Sequence, residues 1–298
     1  MGNILTKQFY RQRKDFEDSC AGRDAGLTFP EGVRCSTDIA YADDGIKAHL
    51  LDIYRPEDSQ EKILPVIINV HGGGLIIGNK EFNRYFCALL CKKGFLVYSI
   101  EYRLIPDCLI YDQIADVFMA MDYIKERLAA DGGDSSHVYM AGDSGGACLI
   151  TYANAIQNST NIARAANVTP SGLRINALGL ISGMFYTSRF DKIGLFLPKY
   201  LYGRDYKKTP FAKYVNPENR ELLNSLAPVW LVTSHNDFLR RYTTDFEKAL
   251  TRAEREHELV VFPKNKKLTH AFSVFEPFMP ESGAVIDMMV EYLSLIHI

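Results

Sequence analysis

A serine flanked by glycines, directly after a short apolar run, is the feature that most constrains the fold of this 298-residue chain. The run His137 to Ala141 is typical of a strand, and the pentapeptide Gly-Asp-Ser-Gly-Gly at 142–146 follows it in the pattern G-x-S-x-G. Such a turn joins a strand to a helix, strains the serine backbone, and needs glycines because side chains would collide there. Ser144 is the candidate nucleophile, although the pentapeptide alone also occurs in ordinary loops.

Three consecutive glycines follow an earlier apolar run. Leu64 to Val70 predicts a buried strand and ends directly in the segment His-Gly-Gly-Gly at 71–74. Bare backbone N–H groups after a strand suit an oxyanion hole of the kind that acyl transfer requires. A flexible turn and a phosphate cradle are the alternatives. The lysine and hydroxyl of a phosphate loop are missing, as is the G-x-G-x-x-G spacing of a dinucleotide loop, so the oxyanion hole is the better interpretation.

With these motifs the chain resembles the hormone-sensitive-lipase-like carboxylesterases of the α/β-hydrolase family, which carry an HGGG loop and a GDSAG-type elbow. The stretch Glu-Tyr-Arg-Leu-Ile-Pro-Asp at 101–107 is also similar to the family's YRLAPE segment. Two positions depart from the family pattern. Gly145 stands where alanine is more frequent, and Phe238 follows Asp237 where the family usually has proline. Neither departure removes a reacting group.

In this fold the acid and the histidine follow the serine along the chain, each after a later strand. The run Pro228 to Thr233 predicts a strand, and Asp237 follows it at the carboxyl end, where catalytic groups collect in α/β sheets. The next predicted strand, Leu259 to Phe262, leads through a polar loop to His270. Asp237 taken alone is more readily a surface carboxylate or a helix N-cap. Its placement and the resemblance select it as the acid.

Seven histidines compete for the role of general base. Five of them lie in strand-like runs, at a helix end, near the C-terminus or in the HGGG loop: His49, His137, His257, His297 and His71. For the histidine of the HGGG loop we expect a structural hydrogen-bonding role. His235 shares a loop with Asp237, so it is badly placed to lie between that carboxylate and Ser144. His270, whose segment is similar to the family's His-Gly-Phe, is the predicted base.

Apolar strand-like runs alternate with amphipathic helices from Asp38 onward. The predicted strands are 35–41, 48–54, 64–70, 95–100, 137–141, 175–182, 228–233 and 259–262, and the predicted helices are 81–93, 111–130, 145–158, 239–256 and 281–296. This alternation implies a mostly parallel sheet covered on both faces, with an antiparallel hairpin formed by the first two strands around Asp43-Asp44-Gly45. We therefore expect a single α/β-hydrolase domain over 1–298, with a mostly parallel eight-stranded sheet flanked by helices.

The alternation breaks between Ser182 and Leu226. A connection of that length does not remain a bare loop in a compact domain, so about 183–226 is expected to form a helical lid. The resemblance implies that residues 1–34 join it. Nine aromatic residues lie between 184 and 214: Phe185, Tyr186, Phe190, Phe196, Tyr200, Tyr202, Tyr206, Phe211 and Tyr214. They favour an apolar wall around an acyl or alcohol group, with packing of the lid on the core as the alternative.

Composition excludes several classes of protein. Hydrophobic residues make up 47% and charged residues 23%, close to globular averages, so disordered and membrane classes are disfavoured. A net charge of -2 provides no field that attracts nucleic acid. Six cysteines without a C-x-x-C pair are typical of reduced thiols. The first residues lack the apolar core of a signal peptide, and their match to a myristoylation pattern at Gly2 and Thr6 is short enough to arise by chance, so a cytoplasmic location is expected.

The resemblance implies a serine carboxylesterase that hydrolyses short-chain carboxylic esters through an acyl-enzyme on Ser144. Backbone N–H groups of Gly73, Gly74 and Gly145 would form the oxyanion hole. This chemistry requires no metal and no organic cofactor. The expected partner is a small-molecule ester, with neither nucleic acid nor membrane, and a homodimer is an open alternative to a monomer.

Three alternatives use the same fold. An arylformamidase and an esterase of acetylated sugars share the catalytic machinery and differ in the leaving group. A non-catalytic ligand receptor is the third, since the plant gibberellin receptor of this family keeps the pocket without the catalytic histidine. The presence of His270 favours an enzyme.

Overall fold

The structure is a computed structural model that describes residues 2–59 and 62–295, so His297 and the last residue of the helix predicted at 281–296 lie outside the described residues. The strands are β1 (Val33–Ala40), β2 (Leu50–Pro56), β3 (Leu64–Val70), β4 (Leu96–Ile100), β5 (Gly133–Asp143), β6 (Ala177–Ile181), β7 (Val229–Ser234) and β8 (His257–Phe262). They form one eight-stranded sheet in the order β1-β2-β4-β3-β5-β6-β7-β8.

The sheet is antiparallel at one edge and parallel elsewhere. β2 pairs antiparallel with β1 and with β4, whereas the pairs from β4 through β3, β5, β6 and β7 to β8 are parallel. The predicted hairpin and the mostly parallel eight-stranded sheet are confirmed. β5 begins four residues before the predicted strand, because Gly133 pairs with Leu64, and the register shifts before the next pair, Val66 with Val138.

Helices cover both faces of the sheet. They are α1 (Gly2–Asp24), α2 (Arg84–Lys92), α3 (Ile110–Arg127), α4 (Ser144–Asn158), α5 (Thr160–Ala166), α6 (Lys192–Phe196), α7 (Pro198–Leu201), α8 (Arg220–Asn224), α9 (Arg240–Arg252), α10 (Phe272–Phe275) and α11 (Pro280–Leu295). Because both faces are covered, β3 is apolar along most of its length and only Pro65 in it is partly exposed. The edge strand β1 is mostly exposed.

Alternate residues of each strand enter two different apolar cores. Val66 and Leu96 pack on one face of the sheet with the helices α3, α4 and α9. Ile67 and Trp230 pack on the other face with α2 and α11, where Trp230 and Met289 are fully buried. The two cores fix the strands in register, and they hold the carboxyl end of β5 at the centre of the sheet.

The sequence pattern predicts α1 and the helices of 183–226 less strongly than it predicts the strands of the sheet. α1 has few apolar side chains among many charges, and α6, α7 and α8 have only four or five residues each. A side-chain cap defines the start of α6, since Asp191 accepts hydrogen bonds from the backbone N–H groups of Ile193 and Gly194, both at 3.0 Å. The single domain over 1–298 and the lid at 183–226 stay predictions.

Within the described ranges, none of the helices combines the length and the apolar character needed to cross a bilayer.

Gly146 tests the packing of α4 against β3. A Cβ atom there would collide with the backbone carbonyl oxygens of Val70 and His71, so Gly146→Ala should lower the free energy of unfolding by about 3 kcal/mol or abolish folding. Gly283→Ala is the matched control, because its Cβ would meet no atom within 4 Å inside α11, and it should stabilise the protein by about 0.5–1 kcal/mol. Urea denaturation measures both changes. Equal stabilities of the two variants would contradict the packing argument.

Candidate active site

Ser144 lies at the junction of β5 and α4, with no intervening loop. Its φ of 49° is in the left-handed region, which a residue other than glycine rarely adopts. The surrounding backbone leaves no room for side chains, since a Cβ on Gly142 would lie 2.9 Å from the carbonyl carbon of Gly146 and 3.0 Å from the Val70 oxygen. The turn therefore has the strained geometry of a nucleophile elbow and presents the Ser144 side chain to a cavity.

Three side chains predicted from separate parts of the sequence meet at this point. The Nε2 atom of His270 is 2.9 Å from Ser144 Oγ, and its Nδ1 atom is 2.8 Å from Asp237 Oδ1. Ser144 and Asp237 are buried, and the His270 side chain is 14% exposed. The geometry is that of a connected nucleophile, base and acid.

The acceptors around His270 assign its tautomer. An ionised carboxylate only accepts hydrogen bonds, so Nδ1 of His270 carries the proton toward Asp237, and Nε2 is free to accept from the Ser144 hydroxyl. Burial alone would raise the pKa of Asp237, but the hydrogen bond and charge of His270 and the backbone N–H of Leu239 hold it below its ordinary value. Asp237 is thus the ionised partner of the ring.

Asp237 also makes a contact of the kind expected of a helix N-cap, which was one of its alternative assignments. Its Oδ1 atom accepts from the Leu239 backbone N–H at 2.8 Å, directly before α9, and its Oδ2 atom accepts from Thr233 Oγ1 at 2.9 Å. These contacts hold the carboxylate rigidly while it faces His270, so it is no surface carboxylate. His235, on the same loop, bonds instead to Arg240.

The glycine loop after β3 faces the elbow. Gly73 and Gly74 have φ values of 103° and 62°, and a Cβ on Gly73 would collide with the Ile77 carbonyl. In the described part of the chain, the backbone N–H groups of both glycines donate to no acceptor. A Cβ on Gly145 would lie 2.9 Å from the Gly74 nitrogen, so the loop and the first turn of α4 are in close contact. Unpaired donors beside a nucleophile suit an oxyanion.

His71 holds the loop from below. Its Nε2 atom is 2.9 Å from Glu101 Oε1 and its Nδ1 atom is 2.9 Å from the Gly72 carbonyl oxygen, so both ring nitrogens face acceptors. Burial alone would lower the pKa of His71, but the charge and hydrogen bond of Glu101 raise it above its ordinary value. Tyr102 stacks on the ring at 4.4 Å and donates its hydroxyl to the His71 carbonyl. His71 is therefore a buried imidazolium in a structural ion pair.

Asp143, the residue before the nucleophile, ties the loop to the elbow. Its carboxylate accepts from the backbone N–H of Gly72 at 3.0 Å and from Asn83 Nδ2 at 2.9 Å. Burial raises the pKa of this carboxyl group, and the hydrogen bond from Asn83 opposes that rise. The sequence contains no pairing signal for these contacts beyond the position of Asp143 in the elbow motif.

The cavity above Ser144 has a volume of about 420 Å³ and mostly apolar walls. Aromatic rings contribute much of its surface: Phe9, Phe16, Phe82, Phe196, Phe238 and Phe275. Lys192 is the one basic side chain among the described residues that line it, apart from His270. Such walls accept an apolar ligand of small to moderate size.

Of the nine aromatic residues at 184–214, for which a cavity wall and core packing were both open, Phe196 alone lines the cavity. Most of the others are buried elsewhere, as in the stack of Phe185 on Phe246 at 4.2 Å, so the alternative of core packing is correct for them. The other aromatic walls come from α1, from α10 and from the segments that follow β3 and β7. The spacing of seven residues between Phe9 and Phe16 is the sequence signal that would have found two of them.

Comparison with known proteins agrees with this architecture. A family model described as an alpha/beta hydrolase fold matches residues 67–273. The chain belongs to the α/β-hydrolase fold family. Esterase B from Lactobacillus rhamnosis (HN001) is a similar solved structure, with a TM-score of 0.92 over 99% of this chain and 96% of that one, at 22% identity. Esterase LipW from Mycobacterium marinum has a TM-score of 0.72 over 99% and 89% of the chains, at 20% identity.

Curated relatives of this α/β-hydrolase include a probable isoprenylcysteine alpha-carbonyl methylesterase from Oryza sativa subsp. japonica, 29% identical over 83% of this chain and 60% of that protein. The corresponding protein of Arabidopsis thaliana is 24% identical over 90% of this chain and 63% of its own length. The chain thus spans about three fifths of the length of these relatives. The solved structures, below 25% identity, show the fold alone.

The ion pair of His71 and Glu101 predicts how the stability of the fold depends on pH. The folded pKa of His71 lies above its ordinary value of about 6.5, so the stabilisation is fully present below that value and is lost as pH rises through the folded pKa. Glu101→Gln should therefore lower the urea midpoint most at pH 6, and the difference from the wild type should shrink toward pH 9.

Glu31→Gln, which removes an exposed carboxylate, is the control and should leave the midpoint unchanged over this range. A difference between wild type and Glu101→Gln that grows with pH would contradict the imidazolium assignment.

Proposed function

We propose that the chain is a serine carboxylesterase that hydrolyses short-chain carboxylic esters. The observation that carries the proposal is the connected geometry of Ser144, His270 and Asp237, with contacts of 2.9 and 2.8 Å, at the base of an apolar cavity. Unpaired backbone donors of Gly73 and Gly74 face the same cavity. Nucleophile, base, acid and oxyanion donors are the parts that acyl transfer needs.

In the acylation step, Ser144 Oγ attacks the ester carbonyl carbon while His270 Nε2 takes the hydroxyl proton. Asp237 keeps the imidazole in the required tautomer and stabilises the cation that forms. The carbonyl oxygen becomes an oxyanion held by the backbone N–H groups of Gly73, Gly74 and Gly145. When the tetrahedral intermediate collapses, the bond to the alcohol oxygen breaks, and His270 returns the proton to the leaving alcohol.

Deacylation repeats these steps with water as the nucleophile. His270 takes a proton from water, whose oxygen attacks the acyl carbon, and the collapse returns the proton to Ser144 as the carboxylic acid leaves. In both steps His270 acts as the base through the unprotonated Nε2 of its neutral ring. Every proton in the cycle is supplied by substrate, water or these side chains.

The relatives support an ester as the substrate. The rice and Arabidopsis relatives are named methylesterases, and further ones of 33% and 32% identity over 40% of this chain are named esterases from Mycobacterium tuberculosis. Esterase B has also been solved after inhibition by a tributyrin phosphonate, which shows that protein's own ligand. The mostly apolar cavity makes an acetylated sugar a poorer substrate than an alkyl or aryl ester.

We also propose a cytoplasmic location. Its support is that all six cysteines are free thiols in the structure and that burial raises the pKa of several of them, Cys87 and Cys148 among them, which suits structural thiols in a reducing compartment.

Substitutions of the three side chains test the mechanism. Ser144→Ala and His270→Ala should each lower kcat for p-nitrophenyl butyrate by about 10⁴-fold or more, and the double variant should be little worse, because such residues act as a unit. Asp237→Asn should keep the fold and lower kcat on the order of 10⁴-fold, as the equivalent change does in a serine protease. A fluorophosphonate should label the wild type once and Ser144→Ala not at all.

Asp245→Asn is the matched control for the acid, since this carboxylate pairs with Arg189 at 3.0 Å instead of with His270. It should retain wild-type turnover. Full activity in Asp237→Asn, or additive losses in the double variant, would contradict the assignment, and retained labelling in Ser144→Ala would place the nucleophile elsewhere.

Chain-length preference tests the shape of the cavity. Each methylene that fits should raise kcat/KM about fourfold, until the acyl chain meets the wall at about six carbons. Phe196→Ala removes a wall residue that is 55% exposed and should move the optimum to longer chains. The control is Phe190→Ala, in the same segment but 91% exposed and away from the cavity lining. If the wild type cleaved palmitoyl esters as fast as butyryl esters, the acyl chain would meet no wall. That result would contradict the predicted shape of the cavity.

A further inference from the structure

One arginine of helix α1 donates to four acceptors that lie on two different loops. The guanidinium of Arg13 donates through Nε to the Ile76 carbonyl at 2.8 Å and through Nη1 to Asp107 Oδ2 at 2.7 Å. Its Nη2 atom donates to the carbonyls of Leu104 and Ile105, at 3.0 and 2.7 Å. The planar guanidinium is suited to such divided contacts, which a lysine cannot reproduce.

One of these acceptors, the Ile76 carbonyl, belongs to the glycine loop, and the other three lie on the segment 104–107. The backbone N–H of Ile76 bonds to the Gly73 carbonyl at 3.1 Å, so the residue held by Arg13 is one turn from the unpaired N–H groups. The neighbouring Leu75 carbonyl accepts from the Ile105 N–H and from Gln113 Nε2, both at 3.0 Å. Arg13 thus contacts both of the loop segments, at 76 and at 104–105, that the hydrogen bonds of the Leu75 carbonyl join.

The same helix forms part of the cavity. Phe9 and Phe16 lie one turn before and almost one turn after Arg13, and both line the cavity. Phe9 contacts Tyr200 edge to face at 5.2 Å, and Phe16 contacts Phe82 at 4.9 Å. α1 therefore connects the short helices after β6 with the glycine loop, across the top of Ser144.

The contact between Arg13 and Asp107 is strengthened by partial burial and by a second donor. Its side chain is 18% exposed, and Tyr10 on the same helix also bonds to Asp107. Burial alone would raise the pKa of Asp107, but the hydrogen bonds from Tyr10 and Arg13 lower it, so the carboxylate stays charged opposite the guanidinium. Charge-assisted hydrogen bonds of this kind are about twice as strong as neutral ones.

The C-terminal half of α1 is attached separately. Arg23 donates to the Phe82 carbonyl at 2.9 Å and stacks on the Phe82 ring at 4.3 Å. Loss of Arg13 therefore leaves the helix anchored at its end and frees the half that carries Phe9.

We propose that Arg13 is a positioning residue that couples the apolar roof of the cavity, formed by Phe9 and Phe16, to the oxyanion loop. The apolar part of an ester contacts the roof and holds α1 in place. The hydrogen bond from Arg13 to the Ile76 carbonyl then holds the oxyanion loop in place as well. Esters with larger apolar groups therefore have a higher kcat/KM, because they contact the roof and because the N–H groups of the loop are better placed for the oxyanion. The inference rests on the proposed esterase function for its kinetic consequence.

Arg13→Met tests the coupling, because it keeps the apolar stem and removes every donor. For p-nitrophenyl hexanoate we expect KM to rise at least tenfold and kcat to fall severalfold, with a much smaller change for p-nitrophenyl acetate. The ratio of kcat/KM for the two esters should fall at least tenfold. Hydrogen exchange should quicken both in residues 4–14 and in residues 73–78, while the thermal midpoint changes by a few degrees only.

Arg11→Met is the matched control on the same helix, since the Arg11 side chain is 83% exposed. Its Nε atom lies 3.7 Å from Asp15 Oδ2 in an exposed surface ion pair. It should behave as the wild type in every assay. Arg13→Lys keeps the cation near Asp107 and should recover only part of the hexanoate activity.

Three outcomes would overturn the coupling: equal losses on both esters, faster exchange in α1 without any change at 73–78, or wild-type behaviour of Arg13→Lys. A wild type without activity on any ester would instead overturn the proposed function. The exchange measurement does not depend on turnover, so it tests the coupling in either case.

Discussion

The close approach of the first turn of α4 to the end of β3 is the constraint on which the site depends. The backbone of residues 142–146 packs against the carbonyl oxygens of Val70 and His71, at distances that no Cβ atom tolerates. This contact holds Ser144 at a φ of 49°, and it places the glycine loop that follows β3 beside the nucleophile. The strain at one residue is therefore maintained by two central parallel strands and by the apolar cores on both faces of the sheet.

Buried charges stabilise the same region. His71 and Glu101 lie below the glycine loop, and Asp143 holds its first N–H group from the side of the elbow. Removing such charges from water costs free energy, which the paired contacts offset only while all partners remain in place. The arrangement therefore favours one loop conformation over its neighbours. That specificity matters for Gly73 and Gly74, whose unpaired N–H groups must stay aimed at the cavity without a partner of their own.

The sheet and the elbow leave short-range patterns in the sequence, whereas Asp237 and His270 were selected by their places after later strands and by the family resemblance. Apolar runs of strand length report burial on both faces, and the elbow around Ser144 requires glycines at fixed positions. The cavity walls left only a weak pattern, the seven-residue spacing of Phe9 and Phe16. Phe82 and Phe275 reach the cavity only through the tertiary fold, and α1 reads as a charged segment because a roof needs few apolar positions. The aromatic enrichment near 200 left both interpretations open, because it is the same for a cavity wall and for a core.

The two departures from the family motif both change the surroundings of the reacting atoms and leave those atoms in place. Phe238, at the position where proline is usual, lies with its ring 4.4 Å from that of His270 and lines the cavity, so it covers one face of the base. Gly145, where alanine is frequent, has no Cβ, and the nitrogens of Gly74 and Leu75 occupy positions only 2.9 and 2.8 Å from where that atom would be. A methyl group there would displace the glycine loop by a few tenths of an ångström. The two departures thus change the covering of His270 and the packing against the glycine loop, on either flank of the elbow.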